Sequence, residues 1–246
     1  MSDVSPVVLV TGAAKRVGAV IARRLHARGC VVAMHYRRSR NEAEALAREL
    51  EGARAGSTLL LQADLDDAEQ LETMVSRLVE RCGRLDGVVN NASTFFTTPF
   101  GSVTPAQWDQ LFSANARGPF FLTQAAAAHL REAGGAIVNV LDVYAERALP
   151  RYSAYSMSKA ALRMLTFALA RELGPEVRVN AVAPGTVLWS DNPVKAESDG
   201  DVRDGTALGR VGTPEDVAEA VAWLLLDAHY TTGAVVPVEG GRLLNV

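Results

Sequence analysis

The stretch Val8-Leu9-Val10-Thr11-Gly12-Ala13-Ala14-Lys15-Arg16-Val17-Gly18 decides the fold. It opens inside an apolar run, Val7 to Val10, that stops at Thr11-Gly12, the pattern of a strand buried on both faces. After a turn from Ala13 to Gly18, residues from Val20-Ile21 onward predict a helix closed by Gly29. Glycine at Gly12 and Gly18 permits a tight turn and a close approach of backbone to a pyrophosphate, at a helix N-terminus with free N–H groups. The spacing is not a full G-x-G-x-x-G, and Arg16 stands where a glycine is expected. An ordinary strand-to-helix turn is the competing reading; the position after a first strand favours nucleotide binding.

Outward from this turn the pattern repeats. Strands are predicted at Cys30–Tyr36, Thr58–Gln62, Leu85–Asn90, Ala136–Leu141, Val177–Val182 and Ala234–Val238. Between them fall helices at Asn41–Leu50, Asp67–Arg81, Thr104 to about Arg131 with an interruption near Gly118-Pro119, Ser153–Leu173, and Thr213 to about Asp227. Thr104-Pro105-Ala106-Gln107 and Thr213-Pro214-Glu215-Asp216 both read as capped helix starts. Strands alternating with helices through short connections argue for a parallel sheet covered on both faces. No repeat or linker divides the 246 residues, so a single domain is expected. The connection from Pro184 to Gly212 is long and polar but carries Leu188 and Trp189; it is read as a substrate lid, with plain disorder as the alternative.

The composition is 48% hydrophobic and 22% charged, an ordinary globular balance. A net charge of −3 gives no general drive toward nucleic acid. Cys30 and Cys82 have no metal or redox spacing and are read as buried thiols of a reducing compartment. No apolar stretch approaches the roughly 18 residues of a membrane span, and the polar start, Met1 to Pro6, does not read as a signal peptide. A cytoplasmic protein is expected.

The second strand ends in His35-Tyr36-Arg37-Arg38-Ser39-Arg40, with no carboxylate before Glu42. An acidic residue there would hold the ribose 2′-OH of NAD, whereas guanidinium forks pair with the 2′-phosphate of NADP. NADPH is therefore the expected cofactor. Asp64 suits either an adenine amino group or the cap of the next helix. Asn90-Asn91-Ala92 suits a structural turn as well as cofactor contact.

Tyr155 and Lys159 lie four residues apart and share one face of a helix. A phenol with its ordinary pKa of about 10 is a poor acid at neutral pH, and a neighbouring cation favours its phenolate. The pair is a candidate proton donor for reducing a C=O or C=N bond.

Thr11-Gly12 with Gly18, Asn90-Asn91-Ala92, Asn115, Tyr155-x-x-x-Lys159 and Pro184-Gly185 together resemble the short-chain dehydrogenase/reductase family over almost the whole chain, Val7 to Gly241. The resemblance implies a single-domain Rossmann-type α/β fold, a doubly wound parallel sheet of about seven strands. A narrower resemblance, to pteridine reductases, rests on Thr11-Gly12-Ala13-Ala14-Lys15-Arg16, His35-Tyr36-Arg37-Arg38-Ser39 and Asn90-Asn91-Ala92-Ser93-Thr94-Phe95. Thirteen residues before Tyr155, where most of the family has a catalytic serine, stands Asp142, as in pteridine reductases. Glu239-Gly240-Gly241 departs from the Asp-Gly-Gly usual near the family's end.

The resemblance implies that Tyr155 donates the proton, that Lys159 lowers its pKa and bonds the nicotinamide ribose, and that Asp142 bonds Tyr155 and relays protons. A carboxylate beside a phenol opposes phenolate formation, so the two are expected to titrate as a coupled pair. Asn115 would hold a water or a helix distortion behind Lys159. Gly12, Lys15, Arg16, Val17, Gly18, Tyr36, Asp64, Leu65, Asn91, Ala92, Pro184 and Gly185 would line the cofactor, with Arg37, Arg38 and Ser39 on the 2′-phosphate. Arg16, Ser93, Phe95, Leu188 and Trp189 would face the pterin; Phe96 could take the stacking role of Phe95 instead. The implied activity is hydride transfer from NADPH to a C=N bond of a dihydropterin in a homotetramer, with no metal. A general carbonyl reductase and a catalytically silent NADP-binding sensor are the alternatives.

Overall fold

The computed structural model describes residues 5–187 and 205–244. Seven strands form one sheet in the order β3-β2-β1-β4-β5-β6-β7. They are β1 (Val7–Val10), β2 (Val31–Tyr36), β3 (Thr58–Gln62), β4 (Gly87–Asn90), β5 (Ala136–Val140), β6 (Arg178–Pro184) and β7 (Val235–Val238). Every neighbouring pair is parallel. The helices are α1 (Arg16–Ala27), α2 (Arg40–Ala53), α3 (Ala68–Cys82), α4 (Pro105–Phe112), α5 (Gly118–Ala133), α6 (Ser153–Glu172) and α7 (Pro214–Leu226).

The period of two in β1 sorts the core. Val8 and Val10 face one side with Ile21 and Leu25 of α1, Leu46 and Leu50 of α2 and Val221 and Leu224 of α7. Val7 and Leu9 face the other with Leu71 and Leu78 of α3 and Leu122 and Leu130 of α5. Both layers are needed because an all-parallel sheet is apolar on both faces. Truncating a fully buried residue such as Leu9 costs roughly 2–5 kcal/mol.

The single-domain, doubly wound expectation is met. Chain order reverses between β1 and β4, which are direct neighbours. Their carboxyl ends are where such sheets take ligands.

Several boundaries differ from the sequence reading. Helix α1 starts at Arg16, not after Gly18, because Gly18 packs inside its first turn: a Cβ there would lie 2.2 Å from the Gly12 carbonyl oxygen. The interruption expected near Gly118-Pro119 is a π-helical turn at Ser113–Arg117, just before α5 resumes. Asp64 does not cap α3; Asp67 does, accepting from the backbone N–H of Glu69 and Gln70. Cys30 is buried as expected, but Cys82 is only half-buried. Among the described residues no helix is long and apolar enough to cross a membrane. Leu188, Trp189 and most of the expected lid lie outside the described residues.

Candidate active site

The β1–α1 turn is held from three sides. Gly12 has φ +63°, a conformation glycine adopts without strain, and a Cβ on it would approach the Ala92 Cα to 3.1 Å. The Asn91 amide donates to the Thr11 carbonyl at 2.8 Å and to the Gly12 carbonyl at 3.3 Å. The Thr11 hydroxyl accepts from the backbone N–H of Asn91 and Ala92. Asn91 and Ala92 thus shape the turn. His35, buried at the end of β2, accepts the Gly12 N–H on Nδ1 at 3.2 Å and donates from Nε2 to the Ala63 carbonyl at 3.1 Å. Burial lowers its pKa, as that neutral tautomer requires. The sequence offered no sign of this role beyond an uncharged polar residue at a strand end.

Beside the turn lies a cleft of about 250 Å³ lined by Gly12, Ala14, Lys15, Tyr36, Arg37, Arg38 and Ser39. Three of these are cations, and Ser39 caps α2 without a side-chain hydrogen bond to it. Cations around a helix N-terminus fit a phosphate monoester. Lys15 pairs with Glu42 at 2.6 Å, and Arg37 with Asp64 at 2.7 Å. A larger hollow, about 730 Å³, lies between β3 and α3 and shares only Tyr36 with this cleft. Volume alone therefore does not locate the site.

Of the remaining dinucleotide candidates, Arg16 has φ +53° and opens α1, with Val17 half-buried behind it. Leu65 is a buried core side chain. It sits so close to Gly118 that a Cβ there would meet its Cβ at 2.9 Å. Pro184 ends β6, and Gly185 donates to the Val238 carbonyl at 3.0 Å. A Cβ on Gly185 would approach the Glu239 Cβ to 2.8 Å, so the backbone of β6 and β7 is tightly fitted there.

The candidate reducing centre is built across β5 and α6. Asp142 follows β5, and its Oδ1 accepts from the Tyr144 backbone N–H at 3.0 Å. Its Oδ2 accepts the Tyr155 hydroxyl at 2.6 Å. Lys159, one turn along α6, donates Nζ to the Val140 carbonyl at 2.9 Å. Tyr155 and Lys159 are 3% and 2% exposed, so water screens neither.

Burial comes first among the causes shifting all three groups. It raises Asp142, against the pull of the Tyr155 hydroxyl. It raises Tyr155 well above 10, with Asp142 pushing the same way and Ser93 opposing. It lowers Lys159 to about 8. Asp142 and Tyr155, expected to titrate together, share a direct hydrogen bond. The expected lowering of the phenol's pKa by Lys159 is not found: Nζ stands 6.0 Å from the ring centroid and is directed at Val140. The phenol is therefore protonated, with a carboxyl group beside it as proton partner.

Asn115 lies fully buried in the π-helical turn. Its Oδ1 accepts the Thr94 N–H at 2.9 Å, and its Nδ2 donates to the Thr94 carbonyl and the Ser158 hydroxyl, each at 3.0 Å. The Ser158 hydroxyl donates to the Tyr155 carbonyl at 2.7 Å. The helix distortion expected at Asn115 is there, and its side chain links the Thr94 loop to α6. Phe95, next along, stacks on Tyr152 with ring centroids 4.6 Å apart and meets Tyr155 edge-on at 4.7 Å. Phe96 is half-buried in the cluster under Tyr155, so Phe95 is the exposed ring. Below the centre, Asn90 donates to Asn139 at 2.8 Å and Asn139 to Thr166 at 2.9 Å, tying β4, β5 and α6 together. Neither the stacking of Tyr152 nor the linkage of Asn90 through Asn139 to Thr166 has a local signature in the sequence, because each depends on contacts between distant segments. Among the described residues no cluster of side chains suits a metal ion.

A family model described as enoyl-(acyl carrier protein) reductase matches residues 12–242. The chain belongs to the short-chain dehydrogenase/reductase family. It is an NAD(P)-dependent oxidoreductase of that family. Among relatives, pteridine reductase 1 of Leishmania tarentolae is 37% identical, over 99% of this chain and 98% of its own. L-xylulose reductase of Bos taurus is 39% identical, over 96% and 95%. A solved structure, a blue fluorescent protein from a metagenomic library in complex with NADPH, superposes with a TM-score of 0.91. It is 36% identical, over 97% of this chain and 98% of its own.

Proposed function

We propose that this protein is an NADPH-dependent pteridine reductase that reduces a C=N bond of a dihydropterin, such as dihydrobiopterin or dihydromonapterin. The observation that carries the reading is the 2.6 Å bond from Tyr155 to Asp142 beneath the exposed Phe95 ring. The cofactor is NADP(H), for which the cationic cleft is suited and which the structural neighbour binds. Bound NADPH supplies the hydride. Lys15, Arg37, Arg38 and Ser39 hold the 2′-phosphate, and the β1–α1 turn meets the pyrophosphate. Asp64 meets the adenine end. Lys159 holds the nicotinamide ribose.

Tyr155 gives its hydroxyl proton to the substrate nitrogen as the C=N pair moves onto that atom. Asp142 passes a proton back to the phenolate oxygen, the step for which a buried carboxyl with a raised pKa is suited. Phe95 covers one face of the flat ring system, where offset stacking adds to burial. Ser93 and Arg16 meet its polar edge. We read the assembly as a cytoplasmic homotetramer.

General carbonyl reduction is the second reading, favoured by the L-xylulose reductase relative. A panel of dihydropterins, oxidised pterins, folates and simple ketones with NADPH separates the two. Faster turnover of ketones than of any pterin would overturn the first reading.

A further inference from the structure

We propose that Glu42 and Asp64 act as built-in counter-anions of the 2′-phosphate subsite and limit how sharply the protein separates NADPH from NADH. The inference rests on the dinucleotide reading of the cleft. Of the three cations lining it, two already hold a carboxylate, Lys15 with Glu42 at 2.6 Å and Arg37 with Asp64 at 2.7 Å. Arg38 makes no ion pair among the described residues. Glu42 is fixed in the first turn of α2, one turn from Ser39, so its charge stays at the rim. Gln62 donates to the Arg37 carbonyl at 3.0 Å and accepts from Arg40 at 3.2 Å, which holds the Arg37 backbone in place.

A phosphate dianion entering this cleft meets one undivided cation and two shared ones, with two carboxylates at close range. Each carboxylate competes for a cation and repels the dianion. A neutral ribose hydroxyl suffers neither effect, and can donate to a carboxylate. The same two residues therefore weaken NADPH and spare NADH. Both pairs are half-exposed, so the effect is modest and falls with salt.

The test measures dissociation constants of NADPH and NADH by fluorescence titration, for the wild type and Glu42→Gln, at low and high salt. Asp64→Asn serves as a second variant, judged on the NADPH-to-NADH ratio because an adenine contact is common to both cofactors, and circular dichroism checks that each is folded. Glu42→Gln is expected to tighten NADPH about threefold at low salt, with NADH unchanged or weaker and the gain lost at high salt. If Glu42 merely positions Lys15, NADPH binding weakens instead, and that result overturns the proposal. Equal changes in both cofactors overturn it too. A wild type that binds neither dinucleotide would remove the cofactor reading itself, a different failure.

Discussion

Two regions of this molecule use polar contacts of the same length to opposite ends. Lys15–Glu42 in the cationic cleft and Tyr155–Asp142 in the candidate reducing centre both close to 2.6 Å. The first pair is nearly half-exposed, whereas Tyr155 is 3% exposed. Water and salt weaken the first interaction, while the low-dielectric interior strengthens the second and displaces the titration of its members. Distance alone therefore does not rank these contacts; burial does. The cleft should respond to ionic strength, and the centre to pH and to loss of single atoms.

The sharpest way to break this contrast is Tyr155→Phe, which removes one oxygen from the buried side. Turnover should fall on the order of 10²–10⁴-fold, with the NADPH dissociation constant nearly unchanged. Full activity would detach the phenol from the chemistry. Asp142→Asn comes next: it keeps the shape but cannot relay the proton, and turnover should drop on the order of tenfold to a hundredfold. Arg38→Asp probes the exposed side. It should weaken NADPH roughly tenfold and NADH little, with the difference shrinking as salt rises. Equal loss of both cofactors would reject the 2′-phosphate assignment.

Two smaller effects are set by protons. Lys159 is cationic below its pKa of about 8 and loses its charge above it. The contact with the cofactor ribose proposed for it weakens accordingly, so kcat/KM should decline as pH rises through that value. His35 is buried with a pKa below its ordinary 6.5. The unfolded chain binds the proton first as pH falls, so stability should decrease below about 6.5 until the lower folded-state value is passed. Thermal melts of wild type and His35→Asn between pH 5 and pH 8 would show it, with the variant lacking that slope.

Most of the fold was legible in the chain because β1 is an uninterrupted apolar run and β2, β4 and β5 are mostly apolar, broken only by His35, Asn90 and Asn139, and all four are followed by turn residues. Thr104 and Thr213 announce their helices through capping boxes that the structure contains. The centre was legible to the extent that its members lie on one local element: Tyr155 and Lys159 fall on the same helix face by spacing alone. The partners that tune them were not. The Asn90–Asn139–Thr166 chain joins three segments. The Arg37–Asp64 pair joins the ends of two strands that lie side by side only once the sheet is formed. Asp64 was open between two roles because a carboxylate after a strand serves either; only the nearness of Arg37, and of Asp67 to the start of α3, separates them.

The Asn115 side chain grips Thr94 at both its N–H and its carbonyl, as a neighbouring strand would. The backbone is therefore pinned one residue before Phe95, and α5 and the Tyr155 helix share the anchor. Beyond it, Phe100 projects outward almost fully exposed and Gly101 turns the chain at φ +95°. Length added to this loop around residues 100–102 would be absorbed outside the anchor, leaving Phe95 in register with Tyr155. The loop is thus a place where a new surface contour can be grafted without disturbing the Tyr155–Asp142 pair beneath it.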